Sequence, residues 1–167
     1  MKTNILTIIT FVLIAQVHGF SQELTNTNHS QALDFGKSMV KAFFDNNCTA
    51  VYNSLATSVM SMESGEQFIK STFTEQQFCS ENPARRDIAT SYQIYLNNYM
   101  PVAMTHTEFA EAYPQLQEIY QLQAGDFYFN GANLKKGATE LFRAADMVTF
   151  ILRKSKKAGQ AFEIIGM

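Results

Sequence analysis

The alternation of apolar residues near the carboxyl end is the feature that most constrains the fold. Every second residue from Val148 to Leu152 is apolar, so these side chains fall on one side of a pleated strand. The polar residues 155–159 interrupt the run, and Phe162 and Ile164 resume the alternation, which predicts a β-hairpin. Because an isolated hairpin is marginally stable in water, we expect upstream helices to cover its apolar side. The expected fold class is therefore α+β, with one sheet packed against helices.

The 167 residues have the length of one domain. A basic start, the apolar run Ile5–Ala15 and the following small residues predict that residues 1–19 are a signal peptide cleaved near Gly19, with a periplasmic or extracellular product. The apolar run is shorter than the roughly 20 residues that span a bilayer, so no retained membrane anchor is expected. Residues 20–30 are predicted to be a flexible lead-in, and residues 31–167 a single α+β domain.

The charge balance of the chain argues against binding to nucleic acid. The formal net charge is −2, and no helix is dense in lysine or arginine. One basic cluster surrounds the final turn and consists of Arg153, Lys154, Lys156 and Lys157. We expect this cluster to solvate the tip of the hairpin, and contact with an anionic surface is the alternative.

The chain has two cysteines, Cys48 and Cys79. In an oxidising compartment such a pair predicts a disulfide that closes a loop of about 30 residues. Two buried free thiols are the alternative.

Helical spacing dominates the first half of the chain. Apolar residues recur at intervals of three and four across residues 32–44, and Asn47 is placed to cap a second, short helix. The apolar stretch Val59–Met62 is consistent with an edge strand. Ser64 and Gln67 have the spacing of a capping box, which predicts a helix that ends near Cys79.

Three tyrosines, Tyr92, Tyr95 and Tyr99, form a stripe along a predicted helix that Pro101 ends. We call them the tyrosine stripe. The stripe is either the core face of an amphipathic helix, with hydroxyls at its rim, or the polar lining of a ligand-binding cleft.

Turn and capping residues divide the segment that follows. Thr105 begins a predicted capping box, Pro114 is expected to kink or restart the helix, and Gly125 is expected to stop it. Residues 126–129 are predicted to form a strand. Residues 138–145 fit either a helix or the beginning of the final strand.

The sequence offers few groups for catalysis. The predicted mature chain has only His29 and His106, so no metal site or other cofactor is expected, and none of the common nucleophile or nucleotide motifs is present. Asp126 or Asp146 could act as a general base, with Tyr128, Tyr92 or Tyr95 polarising the substrate. Capping or solvation of a strand end is the alternative role for each aspartate.

The helix of residues 32–46 and the closing strands at residues 148–153 and 162–165 resemble the nuclear transport factor 2-like superfamily. The resemblance implies a cone, in which a curved antiparallel sheet wraps a long first helix and the mouth holds a ligand, an active site or nothing. Residues 87–122 depart from the family, because they read as helices where strands are expected, and so predict a helical insertion. The family contains isomerase-like and dehydratase-like enzymes as well as catalytically inert binding modules.

The leading functional hypothesis is non-catalytic binding of an apolar small molecule or a protein partner, in a cavity between the sheet and the helices. One alternative is a cofactor-free isomerase-like or dehydratase-like enzyme that uses Asp126 or Asp146. Another is a structural homodimer joined through the open face of the sheet.

Overall fold

The computed structural model describes residues 27–81, 91–140 and 148–167. The predicted signal peptide and the candidate base Asp146 lie outside the described residues, as does most of the ambiguous segment 138–145. None of the helices in the three described ranges is long and apolar enough to cross a membrane.

The described helices are α1 (residues 27–44), α2 (Cys48–Ser54), α3 (Glu75–Glu81), α4 (Tyr92–Asn98), α5 (His106–Ala112) and α6 (Pro114–Tyr120). The strands are β1 (Leu55–Met60), β2 (Gln67–Ile69), β3 (Val102–Thr105), β4 (Phe127–Asn130), β5 (Thr149–Lys154) and β6 (Phe162–Gly166). A short 3-10 helix, Lys70–Thr72, follows β2.

The six strands form one open, mixed sheet in the order β2-β1-β6-β5-β4-β3. The α+β fold class is therefore confirmed. The expected antiparallel pairing holds for every neighbouring pair of strands except one: β1 runs parallel to β6, so the sheet is mixed. A parallel pair needs a long crossover connection. The chain between β1 and β6, which includes β2, β3 and β4, provides it.

The predicted carboxyl-terminal hairpin is confirmed. β5 and β6 pair with Leu152 opposite Ile164 and with Lys154 opposite Phe162. Val148 and Phe150 are buried together with Leu152 on the side that the alternation assigned to a core.

We call this side of the sheet the inner face, and α1 covers it with aromatic packing. The rings of Phe43 and Phe150 stack 6.1 Å apart, and α1 also places Phe35 against a ring on β6. Gly36 lies so close to β4 that a Cβ atom at this position would come within 2.1 Å of the Phe129 ring. The inner face is therefore a filled, phenylalanine-rich core.

Helices α5 and α6 pack on the opposite side, which we call the outer face. The ring of Phe109 lies 4.6 Å from that of Tyr128 on β4, and Phe109 shares a smaller apolar cluster with Ile151 of β5. The capping box at the start of α5 is confirmed, because the Thr105 backbone N–H donates to Glu108 at 2.7 Å and the Glu108 N–H donates to the Thr105 hydroxyl at 3.3 Å.

The helix predicted from Ser64 to Cys79 is wrong. Pairing with β1 draws Gln67–Ile69 into an edge strand instead, and α3 begins only at Glu75. A capping arrangement of the predicted kind does occur, but at Thr74: its hydroxyl accepts from the Gln77 N–H at 3.2 Å and its own N–H donates to the Gln77 side chain at 2.8 Å.

Residues 87–122 are predicted to contain two helices and no strand. Residues 87–90 lie outside the described residues, and helices occur where the two are expected, at α4 and at α5 followed by α6. Only the expected absence of a strand is wrong. β3 occupies Val102–Thr105 within this segment, because these residues complete the sheet beside β4. Helix α6 ends at Tyr120, and its capping residue Gln121 has the left-handed conformation with φ of 48°. Gly125 therefore does not stop the helix as expected, and its φ of 94° instead serves the turn before β4.

Candidate ligand-binding cleft

Asp126 and Arg153 form a two-point ion pair at the edge of the outer face. The Arg153 Nε atom donates to Oδ1 of Asp126 and its Nη2 atom donates to Oδ2, each at 2.7 Å. The Gln123 backbone N–H also donates to Oδ2, at 2.9 Å. The Asp126 hydrogen bond raises the pKa of the guanidinium above its usual value, against an opposing effect of burial. The pair holds the guanidinium in one orientation.

This geometry bears on the hypothesis that Asp126 is a general base. The Asp126 side chain is 2% exposed, and both of its oxygens accept hydrogen bonds from Arg153. A carboxylate in this position fixes its arginine partner and has little free capacity to take a proton from a substrate. The sequence signal that could have identified the pair is two residues of opposite charge, Asp126 just before β4 and Arg153 near the end of β5.

The tyrosine stripe packs on the inner side of the molecule. Tyr95 and Tyr99 are buried, and the ring of Tyr95 lies 5.7 Å from that of Tyr92 and 5.3 Å from that of Tyr99. The Tyr95 hydroxyl donates to the Gly131 carbonyl at 2.7 Å, and burial raises its pKa well above the ordinary value. These surroundings are those of a core face, which is the first of the two interpretations of the stripe.

Tyr128 lies on the outer face among other aromatic rings. Its nearest ring neighbours are Phe109, Tyr113 and Tyr120. Burial, reinforced by the two neighbouring tyrosines, raises the pKa of Tyr128 to about 12. The phenol is therefore neutral near pH 7, where it can exchange hydrogen bonds but does not act as a base.

The Cys48–Cys79 disulfide is confirmed, with 5.7 Å between the two Cα atoms. It joins α2 to α3, and a hydrogen bond from the Thr49 hydroxyl to Glu75 at 2.5 Å lies beside it. Both cysteines are consumed by this bond, so neither is available as a thiol nucleophile in this form.

The histidines bind to neighbouring protein groups. His29 Nε2 lies 2.8 Å from the Ala103 carbonyl oxygen at the edge of β3, and His106 Nε2 lies 3.0 Å from the Gln117 amide nitrogen. Across residues 27–81, 91–140 and 148–167, no three histidine, cysteine or carboxylate side chains converge as metal ligands.

The basic cluster at the final turn divides between different partners. Arg153 binds Asp126, and the Lys157 ammonium donates to the Leu55 carbonyl at 3.2 Å. Lys154 and Lys156 are exposed. The four side chains therefore do not share one binding surface.

A cleft of about 360 Å³ opens on the outer face, beside the point where α6 ends. Helix α5 packs on β3 and β4, and the cleft lies over the neighbouring strands β1, β2, β5 and β6. Apolar residues line part of the cleft: Ala56, Met60, Tyr120, Ile151 and Ile165. Polar residues line the rest: Thr57, Ser58, Gln67, Gln121, Gln123, Arg153 and Glu163.

The polar wall of the cleft offers both donors and acceptors. The Ser58 hydroxyl donates to the side-chain Oε1 atom of Gln67 at 2.8 Å, which leaves the side-chain NH₂ group of Gln67 for another partner. Arg153 and Glu163 face each other across β5 and β6, so a donor and an acceptor of opposite charge stand side by side.

Sequence reasoning missed this cleft, because four strands, the end of α6 and a loop supply its residues, and these elements are distant in the chain. Its chemistry is hydrogen bonding over an apolar floor, which is the composition of a small-molecule binding site. The fold alone decides no function, so function has to be inferred from these residues. Comparisons with protein-family models, with curated proteins and with solved structures gave no match for this chain.

Proposed function

We propose that this protein is a non-catalytic binding domain that holds a small molecule in the outer cleft. The observation that carries the proposal is the fixed guanidinium of Arg153, which lines a cleft whose floor includes Ile151 and Ile165. Fixed polar groups around an apolar floor orient a ligand without requiring any reactive group.

The arrangement of Asp126 favours binding over catalysis. The candidate base is buried beneath Arg153 and already accepts three N–H groups. The phenol of Tyr128 is neutral and packed among rings, so the two groups do not form the base and polarising pair that the enzyme hypothesis requires.

The proposed site differs from the cavity expected between the sheet and the helices. Phenylalanine rings fill the space between α1 and the sheet, while the outer cleft has a largely polar wall. The proposed ligand therefore carries polar groups as well as an apolar side.

Kinship with the nuclear transport factor 2-like superfamily and export from the cell are part of the proposal. The packing of α1 across β4, β5 and β6 supports the kinship, and the Cys48–Cys79 disulfide supports an oxidising compartment. Mass spectrometry of the product from the producing cells tests export, because cleavage near Gly19 sets the expected mass.

A matched pair of tryptophan substitutions tests the cleft. Thr57 is exposed and lines the cleft, whereas Thr107 is exposed on α5 and does not. We would titrate the wild type, Thr57→Trp and Thr107→Trp with trehalose, hexanoate, agmatine and a dipeptide amide and follow amide chemical shifts. The proposal expects at least one probe to shift cleft resonances in the wild type and in Thr107→Trp, and Thr57→Trp to abolish the shifts while keeping the thermal midpoint. Equal shifts in all three proteins, or none in the wild type, would contradict it.

A second candidate function is binding of a protein partner, including a second copy of this chain, at the β2 edge. β2 is an edge strand of the sheet, and its side chains Phe68 and Ile69 are 46% and 51% exposed. An exposed apolar edge strand is a template for pairing with another strand. Light scattering tests the homodimer form: a dimer that Ile69→Lys converts to a monomer supports it, and a wild-type monomer at high concentration contradicts it.

A further inference from the structure

We propose that the outer cleft binds a neutral, polyhydroxylated molecule of the sugar class. The inference rests on the proposed function and names the chemical class of the ligand. Its basis is the side-by-side placement of Arg153 and Glu163 among amide and hydroxyl side chains over an apolar floor.

The ion pair beneath the cleft argues against an anionic ligand. Asp126 already neutralises Arg153 through Nε and Nη2, so the guanidinium carries no unmet demand for a second carboxylate or phosphate. The Nη1 atom is not used by Asp126 and remains a donor on a side chain that is 40% exposed. A neutral acceptor such as a hydroxyl oxygen suits this position.

Glu163 supplies the complementary acceptor. Its carboxylate lines the cleft, and its charge acts on Arg153 and Lys70 without a direct hydrogen bond to either side chain. Because Glu163 is the cross-strand partner of Arg153, adjacent hydroxyls on one ligand can reach both side chains. One hydroxyl donates to Glu163 and its neighbour accepts from Arg153, and the negative charge of Glu163 further disfavours an anion.

The remaining lining groups exclude the simpler alternatives. The side-chain amides of Gln121 and Gln123 each offer a donor and an acceptor, and that of Gln67 offers a donor. A purely apolar ligand would displace water from these groups without replacing its hydrogen bonds. A simple amine would satisfy Glu163 alone. A sugar ring presents hydroxyls at its edge and C–H groups on its face, which matches the polar wall and the floor formed by Ile151 and Ile165.

The test is a titration with neutral sugars in which Glu163→Ala is compared with Glu140→Ala, an exposed carboxylate outside the cleft. Glucose, trehalose, maltose and N-acetylglucosamine are added to each protein, with hexanoate and agmatine as anionic and cationic probes. At least one neutral sugar should shift cleft resonances. Glu163→Ala should raise its Kd roughly tenfold, the effect of one charge-assisted hydrogen bond, whereas Glu140→Ala should leave it unchanged.

The outcomes separate the inference from the proposed function. If hexanoate or agmatine perturbs the cleft and no sugar does, the sugar inference is overturned and the binding proposal stands. If no probe perturbs the cleft, both are overturned. If a sugar binds equally well to wild type and Glu163→Ala, the Arg153 and Glu163 pair does not select it and the inference is overturned. Arg153→Lys serves as a second variant, because it keeps a positive partner for Asp126 while removing the forked donor.

Discussion

The two faces of the sheet differ in how completely helices cover them. On the inner face α1 packs rings from Phe35 and Phe43 against the strands, and the side chains there are buried. On the outer face α5 and α6 cover only part of the sheet, and the rest borders the cleft. The comparison indicates that the inner face provides stability and the outer face is available for binding.

Two neighbouring isoleucines on β6 test this division with the largest expected effect. Ile164 is fully buried on the inner face, and Ile165 is partly exposed beside the cleft. Ile164→Ala should lower the free energy of unfolding by about 4 kcal/mol, and Ile165→Ala by about 1 kcal/mol, because a deeply buried site retains more of the cavity. Urea denaturation measures both. Equal losses would break the distinction between the faces.

Removing the disulfide tests whether this bond, like the inner face, contributes to stability and not to ligand binding. The double substitution Cys48→Ser and Cys79→Ser should lower the free energy of unfolding by about 3 kcal/mol, because the unfolded chain regains the entropy of a closed loop. Urea denaturation checks the loss, and probe binding to the outer cleft should persist in the folded variant. A variant as stable as wild type would show that this link does not contribute to the stability assigned to the inner side.

The tyrosine stripe allows a sharper test on the inner side. Tyr95→Phe removes a buried hydrogen bond to Gly131 and should cost about 1 to 2 kcal/mol of stability. Tyr92 is partly exposed, and its hydroxyl lies 3.4 Å from the Lys37 carbonyl, so Tyr92→Phe should cost less than about 0.5 kcal/mol. Thermal unfolding measures the difference. Loss of ligand binding in Tyr95→Phe, without loss of stability and with an unperturbed outer cleft, would favour the ligand-lining interpretation of the stripe.

The smallest expected effect is a pH dependence on the outer side, at the α5 capping box. Hydrogen bonding from the Thr105 backbone, the largest contribution, lowers the pKa of Glu108 below its ordinary value of 4.5. A carboxyl whose pKa is lower in the folded state stabilises the fold above the unfolded pKa, and this stabilisation is lost as the pH falls through the folded pKa. Glu108→Gln should therefore reduce the slope of stability against pH below about pH 4.5, as urea melts from pH 3 to 6 would show. An unchanged slope would contradict the linkage.

Local signals in the sequence predicted a large part of the fold. The closing hairpin followed from alternation at Val148–Leu152, and the start of α2 followed from Asn47, whose side chain accepts from the Ala50 N–H as a cap. The disulfide followed from the number of cysteines and the expected compartment.

Features that depend on distant contacts could not be predicted. β2 consists of three exposed residues that form a strand only because β1 lies beside them. β3 is a four-residue strand between Pro101 and the cap of α5, and it forms because it pairs with β4. The cleft has the same origin, because no local pattern joins Arg153 to Gln67 or Gln121. Asp126 was singled out as a reactive group, but its ion pair with Arg153 required the register of β4 against β5.

Isoleucine methyl spectra provide the most direct test that ligands bind to the outer face and that the inner face is a filled core. Ile164 and Ile165 are consecutive residues on opposite faces of one strand. Their methyl groups therefore report on the inner and outer faces at the same place in the sheet. During titration with the sugar, anionic and cationic probes, the account predicts that the methyl resonances of Ile165 and Ile151 shift while those of Ile164 stay in place. Shifts at Ile164 with Ile165 unmoved would contradict this assignment of the two faces, because the ligand would then enter the space between α1 and the sheet.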